Sequence, residues 1–249
     1  MNIEIHENEE RWYFNQKWIK SYFSFSYADY HNHKRPWFGK LLVLNEDHVQ
    51  PGEGFPARPH KDMEIISIPL EWELSHKDSL WNDTIVKKSS VQSISTGKWI
   101  SHSEFNGNQE EELKVLHIWI ESENHSGEPI YEQKKYLKKD RQNVWQILAS
   151  WDPKDEANRI FQDAYISRIN ISQREVVPYK KRNPLHGVYY FVIEWSIKLD
   201  SHKLKTKDAA GVNDENPEHL IIWDSEESDV IAIEVPMMLK NTEYQTLSY

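Results

Sequence analysis

Two pairs of side chains in this sequence carry groups that could bind a metal ion. Arg58 and His60 form the first pair, and His102 and Glu104 form the second. Because successive side chains of a β-strand point to opposite faces, the two members of each pair share one face. If both strands face the same interior, the four groups converge. Two histidines and one carboxylate are the donors typical of non-haem iron, so His60, His102 and Glu104 are candidate metal ligands.

Arg58 is the member of this set that cannot bind a metal ion, because its guanidinium stays protonated and has no lone pair. A guanidinium about 4–5 Å from a divalent ion is repelled by an energy of order 5–8 kcal/mol at an effective dielectric constant of about 20. Even a third of that energy lowers the affinity roughly 30-fold. A guanidinium also matches a carboxylate well, so we expect Arg58 to pair with Glu104 in place of a metal. Alternatively, Arg58 points outward and the other three residues hold a metal weakly.

The elements that must position these residues are predicted to be β-strands. Short runs of β-branched and aromatic residues alternate with clusters of Gly, Pro, Asn and Asp, a pattern typical of a β-sandwich or β-barrel. Clear 3.6-residue periodicity is absent from the sequence, so we expect an all-β fold with few, short helices. The main runs are 41–44, 64–70, 113–120, 188–197, 220–223 and 230–235.

The length of 249 residues suits two domains. The composition changes near residues 125–129, after a complete set of strands, which predicts domains at 1–125 and 126–249. The 11 Trp, 12 Tyr and 8 Phe residues supply much of the apolar surface that two such cores need.

The formal net charge of −10 argues against a protein that binds nucleic acid by neutralising phosphates. The sequence has no cysteine, which excludes disulfides and thiolate metal sites. The polar, acidic start of the sequence differs from a signal peptide, and no apolar run approaches the roughly 20 residues of a membrane helix. We expect a soluble, cytoplasmic protein that does not bind membranes.

Several segments occur in the order found in the pirin family, and the sequence resembles that family over nearly its whole length. They are Phe23–Tyr30, Pro51–Pro56, His60–Glu64, His76–Ser79 and His102–Asn106. The resemblance implies a bicupin, which is two cupin-type jelly-roll β-barrels packed together. It also implies a metal site, iron in an intact relative, in the N-terminal barrel. His60, His102 and Glu104 stand at three of its four ligand positions and Arg58 at the fourth.

Two functions follow from the resemblance. The first is a non-catalytic, regulatory protein with a degenerate metal site, which holds no metal tightly and binds a small anionic or aromatic molecule or a protein partner. The second is a metal-dependent quercetin 2,3-dioxygenase, in which His60, His102 and Glu104 bind a divalent metal and Glu104 is the candidate catalytic base. The resemblance makes a monomer the simplest expectation.

Two tryptophans stand where the resemblance implies glycine. Trp72 and Trp99 either cover the outside of the barrel or narrow the mouth of its pocket. We expect structural roles for two further histidines. His117 is predicted to be a core or edge residue of its strand, and His76 a hydrogen-bonding residue of a turn.

Overall fold

The N-terminal half is built from two antiparallel sheets that face each other. The computed structural model describes residues 2–172 and 175–237, and within β20 it leaves out the side chains of 225 and 226. The strands of the first half are β1 Ile3–His6, β2 Trp12–Gln16, β3 Ile19–Phe23, β4 Leu41–Val49, β5 Gly54–His60, β6 Met63–Glu71, β7 Glu73–Asp78, β8 Asp83–Lys87, β9 Ser90–Ser95, β10 Ile100–Asn106, β11 Leu113–Glu121 and β12 Ile130–Lys135.

The C-terminal half continues with eight strands in the described part of the chain. They are β13 Gln146–Ser150, β14 Asn158–Arg159, β15 Tyr165–Ile171, β16 Val176–Lys180, β17 His186–Leu199, β18 His202–Leu204, β19 Ala209–Val212 and β20 Glu218–Pro236. Two short 3-10 helices, Asn8–Glu10 and Lys138–Arg141, complete the regular elements of residues 2–172 and 175–237. The prediction of an all-β bicupin with few, short helices is confirmed. No described helix is long and apolar enough to cross a membrane.

The described strands form three sheets. A seven-stranded sheet has the order β12-β9-β6-β11-β4-β3-β2, and a four-stranded sheet has the order β5-β10-β7-β8. These two enclose the N-terminal barrel. A nine-stranded sheet runs β1-β19-β17-β20-β15-β13-β14, with β16 on β20 and β18 on β17.

Two strands pair with the sheet on the other side of the predicted boundary at residue 125. The first strand, β1, pairs with β19 of the C-terminal sheet, and β12 pairs with β9 of the N-terminal sheet. Each half therefore contributes one strand to a sheet of the other half, and backbone hydrogen bonds connect the two barrels.

The central strands of the seven-stranded sheet are buried on both faces, because the C-terminal half packs against the outside of the N-terminal barrel. On β11, Leu116 and Ile118 join a core cluster that also contains Phe191 and Ile231 of the C-terminal half. The residues between them face the other way, into the N-terminal barrel, as strand alternation requires. A continuous apolar run such as 113–120 is the sequence pattern expected of a strand buried on both faces.

Glu64 is a fully buried carboxyl group at the interface between the barrels. Its Oε1 accepts hydrogen bonds from Ser95 Oγ, at 3.1 Å, and from Ser122 Oγ. Burial outweighs these bonds and raises the pKa of Glu64 to about 7. The native state thus favours the protonated acid.

We predict that Glu64 makes the protein less stable as the pH rises. A carboxyl group with a raised native pKa gives its full stabilisation below the unfolded pKa, about 4.5, and loses it as the pH passes the native value of about 7. The loss amounts to about 3 kcal/mol between these limits. The measurement is urea unfolding from pH 4.5 to 8.5. The difference in stability between Glu64→Gln and wild type should grow over that range.

Glu123→Gln is the matched control, because Glu123 directly follows Ser122, a hydrogen-bond partner of Glu64, but is itself exposed. It should leave the pH profile unchanged. An identical slope in wild type and Glu64→Gln would contradict the prediction.

Candidate functional site

A cavity of about 220 Å³ lies inside the N-terminal barrel. All four predicted residues of the two pairs line it, so the structure brings together the side chains that the spacing singled out. The remaining lining residues are Tyr27, Asn45, Asp47, Phe55, Pro56, Pro59, Ile65, His117 and Trp119.

The two pairs lie on neighbouring strands. His102 of β10 is opposite Arg58 of β5, and Ile100 is opposite His60. The register shifts between His102 and Glu104, so that Glu104 lies opposite Phe55. The strands approach very closely beyond this bulge: a Cβ atom on Gly54 would lie 2.3 Å from the carbonyl oxygen of Glu104. Glycine at position 54 therefore permits the pairing that aims Glu104 into the cavity.

Glu104 is buried and both of its oxygens are engaged. Its Oε1 accepts hydrogen bonds from Ser67 Oγ at 2.9 Å and from Gln92 Nε2 at 2.6 Å. Its Oε2 lies 3.1 Å from His117 Nε2. That contact is an ion pair whose alignment falls short of a directed hydrogen bond.

His117 lies between two carboxylates. Its Nδ1 is 2.6 Å from Asp47 Oδ2, and its Nε2 faces Glu104. Burial alone would lower the pKa of His117, but the Glu104 and Asp47 carboxylates overcome that effect and raise it to about 10. Burial alone would likewise raise the pKa of Glu104, and the His117 imidazolium, with smaller contributions from His102 and His76, holds it well below its usual range.

His60 and His102 are neutral imidazoles with lone pairs. Burial lowers the pKa of both rings, to about 4 for His60, and His102 and Arg58 add to the effect on His60. The two rings stack with their centroids 4.7 Å apart. The Nδ1 atom of His102 is buried and has no hydrogen-bond partner in the described structure. His76 lies on the far side of His102, stacked at 5.7 Å, and its Nε2 is 3.0 Å from Asp78 Oδ2.

The expected ion pair between Arg58 and Glu104 is wrong. Within residues 2–172 and 175–237, Arg58 forms no ion pair or hydrogen bond, and its side chain is exposed on the edge strand β5. Glu104 is buried and already surrounded by Ser67, Gln92 and His117. A cation does lie against Glu104, but it is His117 and not Arg58.

His117 is the functional residue that the sequence argument missed. The sequence predicts a core or edge residue at this position, yet His117 lines the cavity. Its position on β11 could have indicated this role. Val115 and Trp119 belong to cores inside the barrel, and His117, two residues from each, points to the same face of the strand. A histidine on the lumen face of a barrel strand was therefore a candidate site residue.

Trp72 and Trp99 do not line this cavity, so of the two alternatives for these residues the structure agrees with the outside of the barrel and not with the pocket. Their exposed fractions are 46% and 50%. Trp72 has a left-handed φ of 63° at the bend between β6 and β7, which turns it away from the interior. Trp99 precedes the fully buried Ile100, and neighbours along an extended chain point to opposite faces.

As arranged, the site does not fit a metal ion. In the described ranges no group of three His, Asp or Glu side chains is placed to hold one. Glu104 already binds three protein groups, and Arg58 supplies a cation in place of a fourth donor. His60 and His102 retain the right chemistry, but they stack on each other rather than diverge around a common point.

We predict that His117→Leu destabilises the protein by about 3–5 kcal/mol, because it leaves Asp47 and Glu104 buried without their cation. The measurement is the free energy of unfolding in urea at pH 7. The double variant His117→Leu/Glu104→Leu should be more stable than His117→Leu alone, since it removes one unpaired charge. Lys114→Ala on the same strand breaks a partly exposed ion pair with Glu71 and should cost less than about 1 kcal/mol. Equal losses for His117→Leu and Lys114→Ala would refute the buried ion pair.

Comparisons with known proteins agree with this architecture. The pirin family profile matches residues 6–120, and the profile described as the quercetinase C-terminal cupin domain matches residues 147–235. The sequence is 30% identical to quercetin 2,3-dioxygenase of Escherichia coli K12 over 94% of this chain and 99% of that protein. It is 32% identical to a pirin-like protein of Caulobacter vibrioides over 80% of this chain and 85% of that protein.

Among solved structures, the bacterial pirin YhhW of Escherichia coli in complex with nickel(II) superposes with a TM-score of 0.88 at 30% identity. The match covers 95% of this chain and all 100% of YhhW. With near-complete coverage in both sequence and structure, the chain belongs to the pirin family.

Proposed function

We propose that this protein is a non-catalytic pirin that binds a small anionic molecule, such as a carboxylate, in its N-terminal barrel without a metal. The observation that carries the proposal is the engagement of Glu104 by His117. The Oε1 atom of this carboxylate already accepts hydrogen bonds from a serine and an amide, and its Oε2 atom faces an imidazolium, so a metal ion would have to compete with these groups for Glu104.

Arg58 supplies the binding group. Arg58 lines the cavity, and its exposed side chain forms no ion pair or hydrogen bond with any described residue. Guanidinium groups bind carboxylates through two parallel hydrogen bonds. The neighbouring rings of His60 and His102 are neutral, and each can offer one ring N–H donor to an anion.

A second candidate function is a metal-dependent quercetin 2,3-dioxygenase. It is favoured by one observation: His102 carries a buried Nδ1 atom without a partner, next to the ring of His60. Such an atom is what a metal ion would satisfy. The relative in Escherichia coli carries the name of this activity, and the YhhW structure contains nickel. Arg58 and the engaged Glu104 place this function second.

We predict that carboxylates raise the melting temperature through Arg58. A ligand at 100 times its dissociation constant adds about 2.7 kcal/mol to stability. Propanoate should stabilise wild type in a thermal-shift titration, and Arg58→Gln should abolish the effect because it removes the charge. Arg58→Lys should keep part of it, since lysine retains the charge but lacks the planar fork. Equal stabilisation of wild type and Arg58→Gln would rule out Arg58 as the binding group.

We also predict that Arg58→His binds nickel(II) or iron(II) at least about 30-fold more tightly than wild type, mainly because it adds a donor, while loss of the exposed guanidinium contributes less. Arg58→Gln is the control that removes the repulsion alone. The measurement is metal content after purification without added metal, followed by calorimetric titration. Near-stoichiometric metal in wild type, together with oxygen-dependent consumption of quercetin, would reverse the order of the two functions.

A further inference from the structure

A second cavity, of about 500 Å³, adjoins the first. It lies between the edge strand β2 of the seven-stranded sheet and the edge strand β5 of the four-stranded sheet. Its walls are mainly aromatic, and we call it the aromatic groove: Trp12, Phe14, Gln16, Trp18, Ile19, Ser21, Phe23, Tyr27, Ala28, Asp29, Tyr30, Asp47, Phe55 and Arg58. Four of these residues, Tyr27, Asp47, Phe55 and Arg58, also line the first cavity. The two spaces therefore share a wall and meet at Arg58.

The local sequence builds the groove as a rigid aromatic slot. The β2–β3 hairpin stacks Phe14 on Phe23, with centroids 6.1 Å apart, and Trp12 stacks on Tyr30 at 4.8 Å. A tight turn holds Tyr30 in place, because Tyr27 and Tyr30 exchange backbone hydrogen bonds across Ala28, which has a left-handed φ of 49°.

Phe55 forms the partition between the two spaces. Its ring packs edge-to-face on Trp18, at 5.5 Å, and on His117, at 5.6 Å. One side of this ring therefore faces the groove and the other faces the buried charges. Aromatic walls of this kind favour flat rings, which can stack or pack edge-to-face on them.

The charges around the groove favour a ligand with a negative charge at one end. Arg58 stands at the junction and is unpaired within the described residues, whereas Asp47 already contacts His117, which it shares with Glu104. The remaining acidic group is Asp29, which is exposed on the rim beside Tyr30. An anion is therefore attracted to the junction end of the groove and not to its rim.

We propose that the groove is a second subsite, and that the ligand is an elongated aryl carboxylate. Its carboxylate binds Arg58 at the junction, and its ring lies in the slot between Trp12, Phe14 and Tyr27. This inference rests on the proposed anion site and adds the chemical class of the group attached to the anion.

Three probes test it by isothermal titration calorimetry on the full chain: 3-(2-naphthyl)propanoate, propanoate and 3-(2-naphthyl)propanamide. Burying two fused rings strengthens binding, so the naphthyl acid should bind at least about 30-fold more tightly than propanoate. The amide keeps the ring but lacks the charge, so it should bind at least about 10-fold more weakly than the acid.

Two matched tryptophan variants locate the ring. Trp12→Ala removes a wall of the groove and should weaken the naphthyl acid about 5–10-fold while leaving propanoate unchanged. Trp81→Ala removes a tryptophan that is 94% exposed and lines neither cavity, and it should change nothing. Trp12 is 49% exposed and Trp81 is 94% exposed, so neither substitution removes a buried side chain, and we expect both variants to fold.

The outcomes separate the two proposals. If propanoate binds through Arg58 but the naphthyl group adds no affinity, or if Trp12→Ala and Trp81→Ala behave alike, the groove is not a subsite and the anion site stands. If neither acid binds, and wild type instead carries stoichiometric metal, the proposed function itself fails.

Discussion

The N-terminal barrel depends on one buried cation, the imidazolium of His117 held between Asp47 and Glu104. Asp47 and His117 lie on β4 and β11 of the seven-stranded sheet, and Glu104 lies on β10 of the four-stranded sheet. The ion pair therefore joins the two sheets across the interior of the barrel. Two carboxylates facing one interior repel each other and pay a desolvation penalty, and the shared imidazolium offsets both. Any ligand that uses Glu104 must compete with this contact.

The same strands connect the site to the rest of the molecule through the alternation of their side chains. Asp47 points into the barrel, while its neighbour Glu46 points to the C-terminal half, where its Oε2 lies 2.9 Å from Lys207 Nζ. Arg11 lies against the same carboxylate and over the ring of Phe191. The pKa of Glu46 falls to about 2, because His48, Lys207 and Arg11 together overcome its burial. One strand thus carries two adjacent acids, one fixing the site and the other fixing the interface between the barrels.

Much of the fold and part of the site could be predicted from the sequence. The period-two spacing of Arg58 with His60, and of His102 with Glu104, placed all four side chains at one cavity, because alternation is a local property of strands. The partner of Glu104 could not be predicted in this way. It depends on the bulge in β10 and on the pairing of β11 with β4, which are long-range features. The alternation of side chains also does not predict that β5 is the edge strand of its sheet, where Arg58 reaches solvent more easily than it reaches Glu104.

The charges of the cavity explain why arginine is tolerated at position 58. The Asp47 and Glu104 carboxylates contribute two negative charges, and the His117 imidazolium and the Arg58 guanidinium contribute two positive charges, so the four sum to zero without any added ion. A divalent cation would leave the cavity with an excess of two positive charges. Arg58 alone would be a weak barrier to a metal, since its exposed side chain can move away and water screens it. His117 alone would leave the cavity with one unbalanced negative charge that attracts cations. Only the two together engage the carboxylate and cancel the negative potential on which a metal centre relies, and they leave an exposed arginine at the cavity, the group to which we propose that an anion binds.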